Sequence, residues 1–164
     1  MDNKIKKTKT ADNAVFANID DIVMIVEEKI SEGADVELPP RGISMLPLIR
    51  QGKDSVILSA KKGRLKKYDI ALYRRSNGDF VLHRIVDVKP ESYTISGDNQ
   101  YVYEKGIGDD QIIAVVTAIR RGGRIIKAKS PIHIIYASVW HHTRSLRHLF
   151  VRAKRKISRI INQK

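Results

Sequence analysis

The run Asp69-Ile70-Ala71-Leu72-Tyr73-Arg74-Arg75-Ser76-Asn77-Gly78-Asp79-Phe80-Val81-Leu82-His83-Arg84-Ile85-Val86-Asp87-Val88 reads as two strands folded back on each other. Both flanks are rich in β-branched and aromatic residues, and Asn77-Gly78-Asp79 is the kind of short turn that joins antiparallel strands. Working outward, Val36–Leu38, Asp54–Ser59, Ser92–Ser96, Gln111–Arg120 and Arg124–Ala128 also read as strands. Turn signals at Lys62-Gly63, Lys89-Pro90 and Gly122-Gly123 separate them. Seven short segments with tight turns predict a mainly β, α+β fold built on a curled antiparallel sheet or a partly open barrel.

A helix is expected on each side of this β region, which spans 34–130. Val15, Ile19, Ile22, Val23, Val26 and Ile30 recur at three- and four-residue spacing, predicting an amphipathic helix over 13–33 that ends at Gly33 and covers one face of the sheet. The first 12 residues are polar, Lys-rich and without periodicity, as in a flexible terminus. Over 131–164, Ile135, Val139, Leu146, Leu149, Phe150, Ala153, Ile157, Ile160 and Ile161 share one helical face, and arginines and lysines occupy the rest. Such a basic amphipathic helix either docks its apolar face on the protein or lies in the headgroup region of an anionic membrane.

Charge is distributed in the same two-part way. The chain of 164 residues carries a formal net charge of +13, yet Asp110 is its last acidic residue, so the excess belongs to the C-terminal third. Nucleic acid is disfavoured as a partner, because the tail's aromatics fall on the apolar face and not among the arginines as stacking platforms. Without cysteine, disulfides and thiolate chemistry are excluded, which fits a reducing, cytoplasmic setting, peripheral to a membrane if the basic helix engages one. No apolar run reaches the length needed to span a bilayer, and acids interrupt the N-terminal apolar stretch where a secretory signal would have none. Phosphate-loop and dinucleotide motifs are absent, so no cofactor is expected. Nor is a metal expected, since His141, His142 and His148 sit among arginines on a helix face.

Arg41-Gly42-Ile43-Ser44-Met45-Leu46-Pro47 departs from ordinary packing patterns. It places a serine in a bend between a permissive Gly and a Met-Leu-Pro that ends regular structure. The preceding Val36-Glu37-Leu38 runs into Pro39-Pro40, which confines it to a sheet edge, where an extended peptide adds as an extra strand. Val36 and Leu38, with Met45 beside the serine, are therefore candidate substrate-binding residues. A serine nucleophile needs a base within hydrogen-bond reach, and only His83 among the five histidines falls in a core strand. Alternation places it on one face with Val81 and Ile85, where burial keeps an imidazole neutral and able to accept a proton.

Gly42-x-Ser44-Met45-x-Pro47, then Tyr68-Asp69-Ile70-Ala71-Leu72-Tyr73, then His83-Arg84-Ile85, then Gly97-Asp98-Asn99, resemble in order and spacing the type I signal peptidases and LexA-type repressor peptidases. The similarity runs from about Val36 to Ala128. It implies a LexA-like β-fold and a serine endopeptidase that cuts extended segments with small residues near the scissile bond. Ser44 would be the nucleophile and His83 the base, as in the archaeal and endoplasmic-reticulum members. The orienting acid is left open by the resemblance: Asp98 lies in the Gly-Asp-Asn block, Glu104 at the position of a later aspartate with Tyr103 before it, and Asp109 and Asp110 follow.

Two features depart from the family pattern. Gly42 stands where members often carry a serine, so an oxyanion would rely on backbone at Gly42 and Ser44. The membrane anchors of signal peptidases also have no counterpart in this sequence. A catalytically silent peptide- or membrane-surface-binding module of the same fold is the competing expectation. A self-cleaving repressor is disfavoured, because the base is not Lys and no Ala-Gly or Cys-Gly bond is present.

Overall fold

The computed structural model describes residues 19–149. In chain order these form α1 (Ile19–Ser31), β1 (Val36–Leu38), β2 (Asp54–Ser59), β3 (Ile70–Arg74), β4 (Phe80–Val88), β5 (Tyr93–Ser96), β6 (Glu104–Ile107), a short 3-10 turn (Asp109–Gln111), β7 (Ile112–Arg121), β8 (Arg124–Lys127) and α2 (Pro131–His142). All strand pairings are antiparallel, in the order β1-β2-β7-β3-β4-β5-β6, with β8 also on β7. The fold is therefore mainly β, with a helix before and a helix after the sheet.

The Asn77-Gly78 hairpin sets the register around which the candidate site is built. Gly78 takes φ +93°, a conformation that strains any residue with a Cβ, and the Asp79 N–H donates to Asn77 Oδ1 at 3.1 Å. Ala71 then pairs with His83 and Tyr73 with Val81, which puts Tyr73 and His83 on one face of β3 and β4. Successive residues of β3 feed opposite cores. Ile70 and Leu72 join Val26, Ile30, Met45, Val56 and Ile119 under α1, whereas Ala71 and Tyr73 join Ile85, Tyr93, Ile95 and Val115. Register shifts in β2, β3, β4 and β5 pairings curl the sheet between these two clusters.

Helix α1 buries Val23, Val26 and Ile30 and ends at Gly33, φ +81°, as its periodicity predicts; residues 13–18 of the expected helix lie outside the described residues. Strand β6 had no sequence signal, since Glu104-Lys105-Gly106 lacks alternation and Gly106 bends the backbone at φ +76°.

The C-terminal segment differs from the continuous helix expected over 131–164. Thr143 interrupts it, and helical backbone resumes over 144–149; residues beyond 149 lie outside the described set. Its docking face also differs. His133, Ala137 and Arg144 are buried with Trp140 beside them, while Ile135, Val139, Leu146 and Leu149, the expected apolar face, are exposed. Polar and stacking contacts hold the docked side: Trp140 Nε1 donates to the Asp98 carbonyl at 2.8 Å, and Arg144 donates to Ser96 Oγ at 3.0 Å. Arg147 lies 3.6 Å from the Trp140 ring centroid and Arg144 lies 4.1 Å from that of Tyr103, so aromatics and arginines do interleave here, facing the protein. Among the described residues no helix is long and apolar enough to cross a membrane.

Asp54, at the start of β2, ties the serine bend to the sheet. Its buried carboxylate accepts from the Arg50 N–H at 3.0 Å, from Arg50 Nε and Nη2 at 3.0 and 2.8 Å, and from Arg121 Nη2 at 3.2 Å, while Arg121 also donates to the Leu48 carbonyl. The Arg50 guanidinium holds the carboxyl well below the usual carboxylate range, against the opposing effect of burial and with help from Arg121. A carboxylate with a depressed folded pKa contributes stability above its unfolded pKa, about 3.9, and loses it as pH falls further. Asp54→Asn should cost about 2–3 kcal/mol in urea unfolding at pH 7, and its difference from wild type should shrink as the pH drops below about 4.

Candidate active site

The bend is held by its backbone, as its composition implies. Gly42 adopts φ +90°, the Ile49 N–H donates to the Met45 carbonyl at 2.9 Å, and Leu46–Pro47 is cis. Met45, Leu48 and Ile49 are buried, Ile43 is exposed, and Ser44 sits half-buried between them. The Gly42 N–H, expected to face an oxyanion, is donated to Gln51 Oε1 at 2.7 Å. The Ser44 N–H carries no hydrogen bond among the described residues and remains the backbone donor at this position.

Gly97 explains how serine and histidine come together. A Cβ built there would stand 2.7 Å from the Ser44 carbonyl oxygen, closer than such atoms approach in folded proteins, and 3.1 Å from His83 Nε2, a tight contact. Only a bare α-carbon lets the bend and the imidazole close on the same point. The next residues fasten this approach: the Asn99 N–H donates to the Ser44 carbonyl at 2.7 Å, and Asn99 Nδ2 to the Ile43 carbonyl at 3.2 Å. Nε2 is thus the ring nitrogen on the serine side, although no hydrogen bond joins it to Ser44 Oγ.

The other ring nitrogen faces an acid. His83 Nδ1 is 3.4 Å from Glu104 Oε1 and 3.4 Å from the Tyr73 hydroxyl. Glu104 is itself gripped by Arg75, whose Nε and Nη2 donate at 2.7 and 2.6 Å. Burial pushes the His83 pKa below its ordinary value, with Glu104 opposing that shift and Arg75 reinforcing it. For Glu104, burial works upward, but the hydrogen bonds from Arg75 and Tyr73 prevail and keep its carboxyl below the ordinary value. Burial, with Glu104 alongside, raises the Tyr73 hydroxyl, so it stays a proton donor. A neutral imidazole against a carboxylate carries its proton on Nδ1, which leaves the Nε2 lone pair toward Ser44.

Glu104, alone of the four acids considered, lies beside His83. Asp98 is not in that position: Arg84 Nε and Nη2 each donate to its carboxylate at 2.7 Å, and both side chains are buried. Arg84 also donates to the carbonyl of Tyr68 at 3.0 Å, a residue held at φ +77°. Asp98 accordingly fixes the Gly97-Asp98-Asn99 loop and does not orient the imidazole. Asp109 pairs with Lys61 and accepts from the Tyr93 hydroxyl at 2.5 Å, and Asp110 shares its 3-10 turn; neither contacts His83.

Beside Ser44 lies an open cleft of about 100 Å³ lined by Pro40, Arg41, Gly42, Met45, Ile49, Phe80, Val81 and Leu82. Met45 is where a substrate-binding residue was expected. Val36 and Leu38 lie on β1, an edge strand as expected; their side chains pack against the core under α1 and do not line this cleft. Phe80, Val81 and Leu82 take their place in the lining. Among the described residues no group of three or more acids and histidines is arranged to hold a metal ion.

Sequence reading missed Tyr73 and Arg75, although the hairpin register with alternation puts Tyr73 on the His83 face. It also gave no role to Arg84, whose pairing depends on loop geometry. No protein-family model matches the chain, and no curated protein matches it.

Gly97→Ala should lower stability by about 1–3 kcal/mol through the forced approach to the Ser44 carbonyl. Amide exchange should rise first at Asn99, whose N–H donates to the Ser44 carbonyl, and at Ile49 in the bend. A variant as stable as wild type with unchanged exchange at the bend contradicts the close-approach account.

Proposed function

We propose that this protein is a serine endopeptidase of the signal-peptidase and LexA-like type, with Ser44 as nucleophile, His83 as general base and Glu104 as the acid that orients it. The observation that carries the proposal is the convergence at Gly97 of the serine bend and His83 Nε2, with Glu104 and Tyr73 on the opposite ring nitrogen. In the proposed reaction Ser44 Oγ attacks the scissile carbonyl carbon while its proton passes to His83 Nε2. The tetrahedral oxyanion faces the Ser44 N–H, and its collapse expels the amine, which takes the proton from His83. Water then hydrolyses the acyl-serine by the same base. The cleft beside Ser44, with Met45, Phe80, Val81 and Leu82 in its lining, accommodates side chains next to the cut, and the substrate is an extended peptide or protein segment.

A second reading has a specific observation behind it. Both Glu104 oxygens are engaged by Arg75, and Ser44 Oγ is not bonded to His83, as in a peptide-binding module that retains the groove without turnover.

Mass-spectrometric profiling of a diverse peptide library separates the two. Cleavage by wild type should fall by about 10²–10⁴-fold or more in both Ser44→Ala and His83→Ala, whereas equal blank profiles favour the binding module. Because burial lowers the His83 pKa, the acid limb of kcat/KM should lie below about 6.5, the ordinary histidine value. Glu104→Gln removes the charge that opposes this lowering, so the limb should move to still lower pH as the plateau rate falls.

A further inference from the structure

The docked side of α2 is filled by His133, Ala137 and Trp140, and the opposite side presents an aliphatic row to solvent. Ile132 is 75%, Ile135 62% and Val139 57% exposed, at spacings that place them on one helical face. Leu146 and Leu149 are exposed in the helical turn that follows, and Ile125 is exposed on β8, the strand leading into α2. Among the described residues, six of the fourteen large exposed apolar side chains lie between 132 and 149, a concentration that isolated surface hydrophobics do not produce.

The charge around this row selects its occupant. Among the described residues α2 carries no acid, and Arg124 and Lys127 are exposed just before it; in the sequence, residues 111–164 hold 13 lysines and arginines and no acid. A second copy of this chain would bring the same unbalanced positive charge to the contact and be repelled. A nucleic acid would offer phosphates to the cations but nothing to an aliphatic row, and Tyr136 and Trp140 are already stacked on each other with Arg147 over the indole. An anionic lipid surface satisfies both halves, taking isoleucine and valine below the headgroups and the cations at their level.

We infer that the outward face of α2, centred on Ile132, Ile135 and Val139, is a docking surface for anionic lipid membranes. Because it lies opposite the docked side, it engages a bilayer while Trp140 keeps its hydrogen bond to the Asp98 carbonyl, and thus while the Gly97 loop stays in place. The membrane surface then collects enzyme and extended membrane-proximal segments together. The docking itself is independent of the proposed catalysis.

Vesicle flotation of the full chain tests this, comparing phosphatidylcholine alone with phosphatidylcholine containing phosphatidylglycerol. Wild type and Ser44→Ala should float equally with the anionic vesicles, lose binding in high salt, and stay unbound with the neutral ones. The triple variant Ile132→Asp, Ile135→Asp, Val139→Asp should bind about tenfold or more weakly, with an unchanged thermal midpoint because its sites are exposed. Equal flotation of triple variant and wild type overturns the inference, as does absence of vesicle binding. So does lipid-free self-association that the triple variant abolishes, which would assign the face to a second copy.

Discussion

At residue 97 there is no room for a side chain, and the arrangement of the site follows from that constraint. The Ser44 carbonyl comes from a bend fastened to β2, and the imidazole comes from the middle of β4, two elements distant in sequence. They reach the same point because Gly97 offers only an α-carbon between them and Asn99 ties the bend down. A few ångströms decide whether a serine and a histidine are chemical partners or unrelated neighbours.

Three arginine–carboxylate clamps hold this approach, each doing a different job. Arg50 and Arg121 on Asp54 anchor the bend, Arg84 on Asp98 anchors the glycine loop, and Arg75 on Glu104 fixes the acid beside the imidazole. The Arg84–Asp98 pair is the most fully buried, and breaking one such pair typically costs about 3–5 kcal/mol. That is a large share of a single domain's stability. Helix α2 adds a fourth restraint through Trp140, so the basic C-terminal segment supports the glycine loop from outside the sheet.

Much of this was readable in the chain. Alternation and turn chemistry located seven strands within a residue or so, because β-branched runs and Gly-containing turns are local signals. The same alternation placed His83 among the buried residues of the sheet. Glu104 could be named only as one of several acids, since its place depends on β6, a strand whose charged residues and Gly106 carry no periodic signal. Asp98 misled for the opposite reason: it adjoins Gly97 in sequence, but its carboxylate turns to Arg84, a partner visible only in three dimensions. In the C-terminal segment a helix was legible, but Thr143 interrupts it, and the docked side proved to be the one bearing Ala137, Trp140 and Arg144. Stacking and hydrogen bonds outweighed aliphatic burial there, which hydrophobic spacing alone does not register.

The account rests on a neutral His83 whose proton sits on Nδ1, toward Glu104 and Tyr73, leaving Nε2 free to act as a base. Nitrogen-15 NMR of the histidine rings across a pH titration, assigned with His83→Gln, measures both properties at once. The account predicts the Nδ1–H tautomer at neutral pH and a titration midpoint below the ordinary histidine value. An Nε2–H tautomer, or a ring that gains its second proton above that value, would contradict it.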